Sequence, residues 1–211
     1  NLPRSFTTSV SKQFEIISLI LIRRIFADIP KVDISASWFS TEENLGLIYD
    51  VLGVLILYYL IFLFNKARFK LEKKPLTDAI TKFISSKRGV SLILLFVLIV
   101  LSFTSAYNWG KDLFLNNSSL DINSVFYNEF FTVLILADVL ILLLSFQYTE
   151  RYSQIIRNTG FIISTILIRL SFGTTGLANV SLIVSSVLFG LIILWIYNFT
   201  EVERKKRIIN N

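Results

Sequence analysis

Apolar residues in this chain fall into long blocks separated by short polar stretches, and period-two alternation is almost absent. Blocks of that length read as helices rather than strands. A helix rises about 1.5 Å per residue, so ~20 apolar residues cross the ~30 Å hydrocarbon core of a bilayer. On this measure the pattern predicts five spans, at about 45–64, 89–107, 127–148, 154–176 and 177–199. Were 160–199 a single helix, it would be ~60 Å long, twice the bilayer core. The break Gly173-Thr174-Thr175-Gly176 therefore divides it into two.

The first apolar run, 16–22, is too short to span and is followed at once by Arg23, Arg24 and Asp28. Phe14, Ile17, Leu21 and Ile25 recur at helical spacing, which predicts an amphipathic helix over 14–29 lying in the membrane interface and ended by Pro30. Residues 1–13 read as a polar tail, and 31–44 as a connection in which Trp38 and Phe39 suit a headgroup layer. Within 66–88, Leu76, Ile80, Phe83 and Ile84 predict a second surface helix. The organisation is thus an N-terminal tail and interfacial helix (1–44), a transmembrane bundle (45–199) and a basic C-terminal tail (200–211).

Composition strengthens this reading. Of 211 residues, 54% are hydrophobic and 17% charged, against roughly 45–50% and about 25% in soluble domains. The fold class is all-α, a polytopic transmembrane helical bundle. Cys, His and Met are absent. The lack of Met suggests that residue 1 is not the translation start. Without Cys or His there is no thiolate–His pair, Ser-His-Asp triad, CxxC redox pair or ordinary zinc, copper or His-ligated haem site. No catalytic constellation, cofactor motif, metal motif or nucleic-acid-binding motif is present, so the expectation is a protein that is not an enzyme.

Charge sets the orientation. The 66–88 loop carries eight bases, Lys66, Arg68, Lys70, Lys73, Lys74, Lys82, Lys87 and Arg88, opposed by Glu72 and Asp78. Bases recur at 149–157 and after 203, and are sparse in 108–128 and in the 173–176 turn. Cytosolic loops are the base-rich ones. For five spans this places the N-terminal segment outside and the C-terminus on the cytosol-like side of a bacterial inner membrane, or an organellar inner or thylakoid membrane. The basic loop reads as a topology signal and solvated face, or as a surface for anionic lipid headgroups or an acidic partner.

Two charges fall within expected spans, Asp138 and Arg169. A charge at mid-bilayer costs roughly 2.5–3.5 kcal/mol on insertion scales, which marks it as a candidate for function. The expectation is an Asp138–Arg169 ion pair inside the bundle, locking two helices together or lining an anion or proton pathway. Small residues four apart at Gly160/Ser164, Ser181/Ser185 and Ser186/Gly190 predict close helix packing within the bundle.

Residues 126–199 resemble the phosphate-starvation-inducible E (PsiE-like) family of small membrane proteins. The likeness lies in a span carrying Asp138, a short loop with Arg157, the segment RNTGFIISTILIRL ending in Arg169 and Leu170, and a final plain span. The family's His near that loop is missing here. The resemblance implies a membrane bundle. Taken together, these features lead us to expect a non-enzymatic accessory or assembly subunit of a larger membrane complex, partnered by membrane lipids and other membrane proteins. The alternative is a small ion, proton or anion channel or transporter using Asp138 and Arg169.

Overall fold

The computed structural model describes residues 6–32, 39, 41–69, 78–115, 122–147 and 151–209. The described residues form six α-helices and one 3-10 turn, with no strand among them: α1 (Phe6–Asp28), the turn Ile29–Lys31, α2 (Glu42–Phe69), α3 (Asp78–Leu115), α4 (Ile122–Gln147), α5 (Tyr152–Ser171) and α6 (Gly176–Ile209). They divide into two compact units. One holds α1, α2, α5 and α6; the other holds α3 and α4.

In the first unit four helices pack as a ring in the order α1, α2, α6, α5. Side-chain contacts give their directions. Ser11 meets Asn65 while Arg24 meets Asp50, so α1 and α2 are antiparallel. Gly53 faces Val180 and Asn198 reaches Ala67, so α2 and α6 run parallel. Ser164 bonds to Ser186 and Gly160 faces Ile193, so α5 and α6 are antiparallel. It follows that α1 runs parallel to α5.

Each helix contributes a stripe at spacings of three and four, which is the register that keeps one face on a neighbour. On α1 it is Val10, Phe14, Ile17 and Leu21; on α2, Leu57, Leu60, Ile61 and Phe64; on α6, Ile183, Val187 and Leu194. Phe14 and Phe64 meet edge-on at 5.0 Å between ring centres, and Phe64 meets Phe161 of α5 likewise at 5.7 Å. The stripe expected at 14–29 is therefore real. It is seated on α2 and α5, and the helix starts at Phe6, inside what reads as a tail.

Small residues set the α5–α6 distance. A Cβ built on Gly160 would lie 2.7 Å from Ile193 Cγ1, and one on Gly190 would lie 2.9 Å from Phe14 Cζ and 3.0 Å from Ser164 Oγ. The expected internal packing at Gly160/Ser164 and Ser186/Gly190 is what these contacts are, whereas Ser181 and Ser185 are exposed. Gly160→Val is accordingly expected to destabilise the bundle by about 1–3 kcal/mol, the usual cost of overpacking. At Gly46, on α2, an added Cβ meets nothing within 4 Å. Gly46→Ala should therefore stabilise by about 0.5–1 kcal/mol through helix propensity. Unfolding of the purified protein in detergent reads both signs.

The second unit is an α3–α4 hairpin. The separate surface helix expected at 76–86 and the span expected at 89–107 are one continuous helix of 38 residues, ~57 Å long at 1.5 Å per residue. No proline interrupts 78–115, and the polar run Ser85-Ser86-Lys87-Arg88 is compatible with a helix.

Among the described residues, three helices are long and apolar enough to cross a membrane, over Asn44–Arg68, Arg88–Tyr107 and Gly176–Arg204. That is fewer than the five spans expected. On α4 the described apolar stretch is the shorter Thr132–Phe146. α5 fails for a physical reason: Gln154, Arg157, Asn158 and Arg169 lower its hydropathy, yet Asn158 is buried and the other three are half-buried. Average hydropathy treats them as though they faced lipid.

Candidate functional site

The polar centre of the first unit lies where α1, α2 and α6 converge. The buried stripes there end in polar residues without a change of register. On α1 the series 10, 14, 17, 21 continues to Arg24. On α2 the series 64, 60, 57, 53 continues to Asp50. On α6 the series 194, 190, 187, 183 continues to Asn179. Three polar side chains at the ends of three inward-facing stripes are thereby brought together.

Their bonding is mutual. Arg24 donates from Nε to Asp50 Oδ2 at 2.5 Å and from Nη2 to Asp50 Oδ1, a two-pronged guanidinium–carboxylate pair. Arg24 Nη1 donates to Asn179 Oδ1 at 2.7 Å. The Asn179 amide donates in turn to the Ser171 carbonyl and, at 3.2 Å, to that of Thr174. These are carbonyls freed where α5 ends, so one asparagine both binds the arginine and closes the helix end. The Asp50 side chain is 4% exposed and that of Arg24 32%. Planar two-pronged pairs of this kind are the strongest and most geometrically specific ion pairs.

The α5–α6 connection supports the site. Phe172 and Gly173 amides donate to Arg169 and Leu170 carbonyls, and Thr174 Oγ1 donates to the Ser171 carbonyl at 2.8 Å. Gly176 opens α6 with φ at +57°, a left-handed conformation that side chains disfavour.

Further polar contacts lie along the same unit. Ser11 Oγ donates to Asn65 Oδ1 at 2.6 Å, joining α1 to α2. Ser164 Oγ donates to the Ser186 carbonyl at 2.6 Å, joining α5 to α6. Asn198 donates to the Ala67 carbonyl at 3.1 Å, joining α6 to α2. Toward that end the Arg157 guanidinium lies 4.5 Å from the centre of the Tyr197 ring and donates to Asn158 Oδ1 at 3.0 and 3.2 Å. Each bond links one helix to another or supports a residue that does. Chemically, the arrangement fixes helix positions.

Asp138 is buried on α4 beside Ala137, in the hairpin unit. Arg169 is half-buried in the last turn of α5, in the four-helix unit. Of the basic set, Lys66 on α2 and Arg88 on α3 are exposed and Arg68 is half-buried. Lys70, Lys73 and Lys74 lie outside the described residues, as do the side chains of Lys82 and Lys87 on α3. Among the described residues, no group of three acidic side chains is placed to hold a metal ion.

The Arg24–Asp50–Asn179 cluster was missed in the sequence because Arg23 and Arg24 look like a polar boundary that stops a short apolar run. One signal was available: Arg24 occupies the next position on the stripe of Val10, Phe14, Ile17 and Leu21, where a solvated arginine has no reason to be.

Compared with known proteins, the chain matches no family model, no curated protein and no solved structure. The likeness of residues 126–199 to the PsiE-like family accordingly rests on the sequence alone. What fold and site define together is a class: a helical protein with membrane-crossing hydrophobicity, in which the Arg24–Asp50–Asn179 cluster binds three of its own helices to one another.

Proposed function

We propose that this protein is an integral membrane subunit without catalytic activity of its own, acting in the assembly or support of a larger membrane complex. One observation carries the reading. In the four-helix unit Ser11, Arg24, Asp50, Asn179, Ser164 and Asn198 bond from one helix to another, while no residue of the apolar stretch Arg88–Tyr107 is buried. The molecule thus keeps its polar groups for internal structure and turns apolar surface outward, the division expected of a part whose work is done by contact with lipid and neighbouring helices.

In this reading α2 to α6 supply five spans and the base-rich ends lie on the cytosol-like side, with the C-terminus among them. Lys66, Arg68 and Arg88 then sit at the headgroup level, where each base near an anionic surface contributes about 1 kcal/mol of attraction. Asp138 and Arg169 fall within the spans of this reading, one in each unit. The second reading, a channel or transporter, draws on those two charges. It is the weaker one because Ser164 is bonded to the Ser186 carbonyl, Thr165 to the Ile162 carbonyl of its own helix, and Ser181 and Ser185 face outward.

Purification in mild detergent followed by native mass spectrometry separates the two. A subunit is expected in a large particle with other membrane proteins at fixed stoichiometry. Recovery as a pure homo-oligomer that conducts ions when reconstituted overturns the proposal in favour of the channel.

A further inference from the structure

We infer that α1 crosses the bilayer alongside α2, an additional span that places its two ends, Phe6 and Asp28, on opposite sides of the membrane. The inference rests on α2 being a membrane span, as its length and hydropathy indicate, and goes beyond the five spans proposed above.

The first observation is direction. A helix lying in the interface runs across the ends of spanning helices; α1 runs along one. Its contact with α2 extends from Ser11 opposite Asn65 to Arg24 opposite Asp50. That is 13 residues on α1 and 15 on α2, about 20 Å of shared depth at 1.5 Å per residue. Between these ends Phe14 packs on Phe64, and Leu21 lies 3.5 Å from the Cβ that Gly53 lacks. If α2 spans the hydrocarbon, α1 occupies the same slab. The whole of α1, 23 residues, is ~34 Å long and matches the ~30 Å core.

A second observation, independent of packing, is the outward face. A surface helix turns charge away from its apolar stripe. Here Ile16, Leu19 and Ile20 are exposed on the side away from the core, and no charge occurs from 16 to 22 on any face. The middle of α1 is uncharged all round, and its one polar side chain, Ser18, donates back to the Glu15 carbonyl, which suits protein on one side and acyl chains on the other.

The third concerns the charges that made α1 look unable to insert. Glu15 is paired with Lys12, near the end that Ser11 and Asn65 share. Arg24 is paired with Asp50 and bonded to Asn179 at the other end. Intramembrane charges are tolerated when they pair within the bundle, and these pairs lie toward the two ends of the shared slab. The loops agree. The tail before Glu15 carries Arg4 and Lys12 with no acid, whereas 29–43 carries Lys31 against Asp33, Glu42 and Glu43. That asymmetry places the tail on the base-rich side, with the 66–88 loop.

The natural absence of cysteine makes the test clean. Full-length chains with a single Ser5→Cys, Ser35→Cys or Asn210→Cys are expressed in cells and treated with a membrane-impermeant maleimide before and after permeabilisation. The expected result is that Ser35→Cys reacts in intact cells, while Ser5→Cys and Asn210→Cys react only after permeabilisation. Reaction of Ser5→Cys and Ser35→Cys from one and the same side overturns the inference and leaves the membrane reading standing. Should Ser5→Cys express poorly, a protease-cleavable epitope placed before Asn1 reports the same sidedness by its protection or loss. Release of the chain by alkaline carbonate sinks both readings. Opposite sides for Ser5 and Ser35 with the whole pattern inverted supports the α1 span and removes only the assignment of the C-terminus to the cytosol-like side.

Discussion

Arg24→Ala is expected to cost the four-helix unit about 3–5 kcal/mol, the range found when one partner of a buried ion pair is removed and the other remains. Asp50 would be left as a carboxylate whose side chain is 4% exposed, and Asn179 Oδ1 would lose the donor that holds it. Asp50→Asn should cost less. Arg24 is about a third exposed, and its long side chain can carry the guanidinium toward the membrane surface. Replacing both partners, Arg24→Leu with Asp50→Leu, is expected to recover most of the loss, because well-packed apolar groups replace buried pairs at little cost. Stability in detergent, measured by reversible unfolding of the three variants beside the unaltered protein, checks these expectations. A neutral Arg24→Ala, or a double variant no better than the single one, would show that the pair does not hold α1 to α2.

The second large effect is expected at Phe64. Its ring is fully buried and meets Phe14 and Phe161 edge-on, so Phe64→Ala opens a cavity where three helices touch. In soluble proteins this change costs about 3–5 kcal/mol. Part of that figure is transfer from water, which is missing when the separated helices remain in lipid. The expectation here is therefore about 2–3 kcal/mol, arising from lost packing and aromatic contact. Phe96→Ala, at a ring 69% exposed on α3, serves as the control and should stay within about 0.5 kcal/mol. Comparable losses at both positions would mean that the aromatic cluster is not a core.

Legibility differed from helix to helix. α2 and α6 are readable from hydropathy alone, because their outward faces meet an apolar surrounding and their inward faces are apolar too. The turn between α5 and α6 is equally plain, since two glycines around two threonines interrupt any helix. α1 and α5 are not readable in that way. Both carry polar residues on the face turned into the bundle, Ser11 and Arg24 on one, Asn158, Ser164 and Ser171 on the other. Window averages register those residues as hydrophilic and cannot register that each has a partner. The length of α3 is concealed for the opposite reason: a cluster of bases reads as a loop, yet Lys and Arg are good helix formers and no proline falls in 78–115.

The site shows the same division more sharply. Asp138 and Arg169 are visible in the sequence because each is alone in an apolar block. The pair Arg24 and Asp50 is concealed, because each stands near the edge of its block and looks like a boundary. Only the antiparallel placement of α1 on α2 brings them to one depth, 26 positions apart in the chain, and only the parallel placement of α6 adds Asn179 from 155 positions away.

What the amino-acid order determines unaided is the solvent of the chain and the period of its helices, since both depend on local composition and on the 3.6-residue repeat. Which polar residues become neighbours is decided by tertiary packing. A side chain's cost in an apolar surrounding depends on the partner across the helix interface, and that partner is a property of the fold and not of the neighbouring sequence.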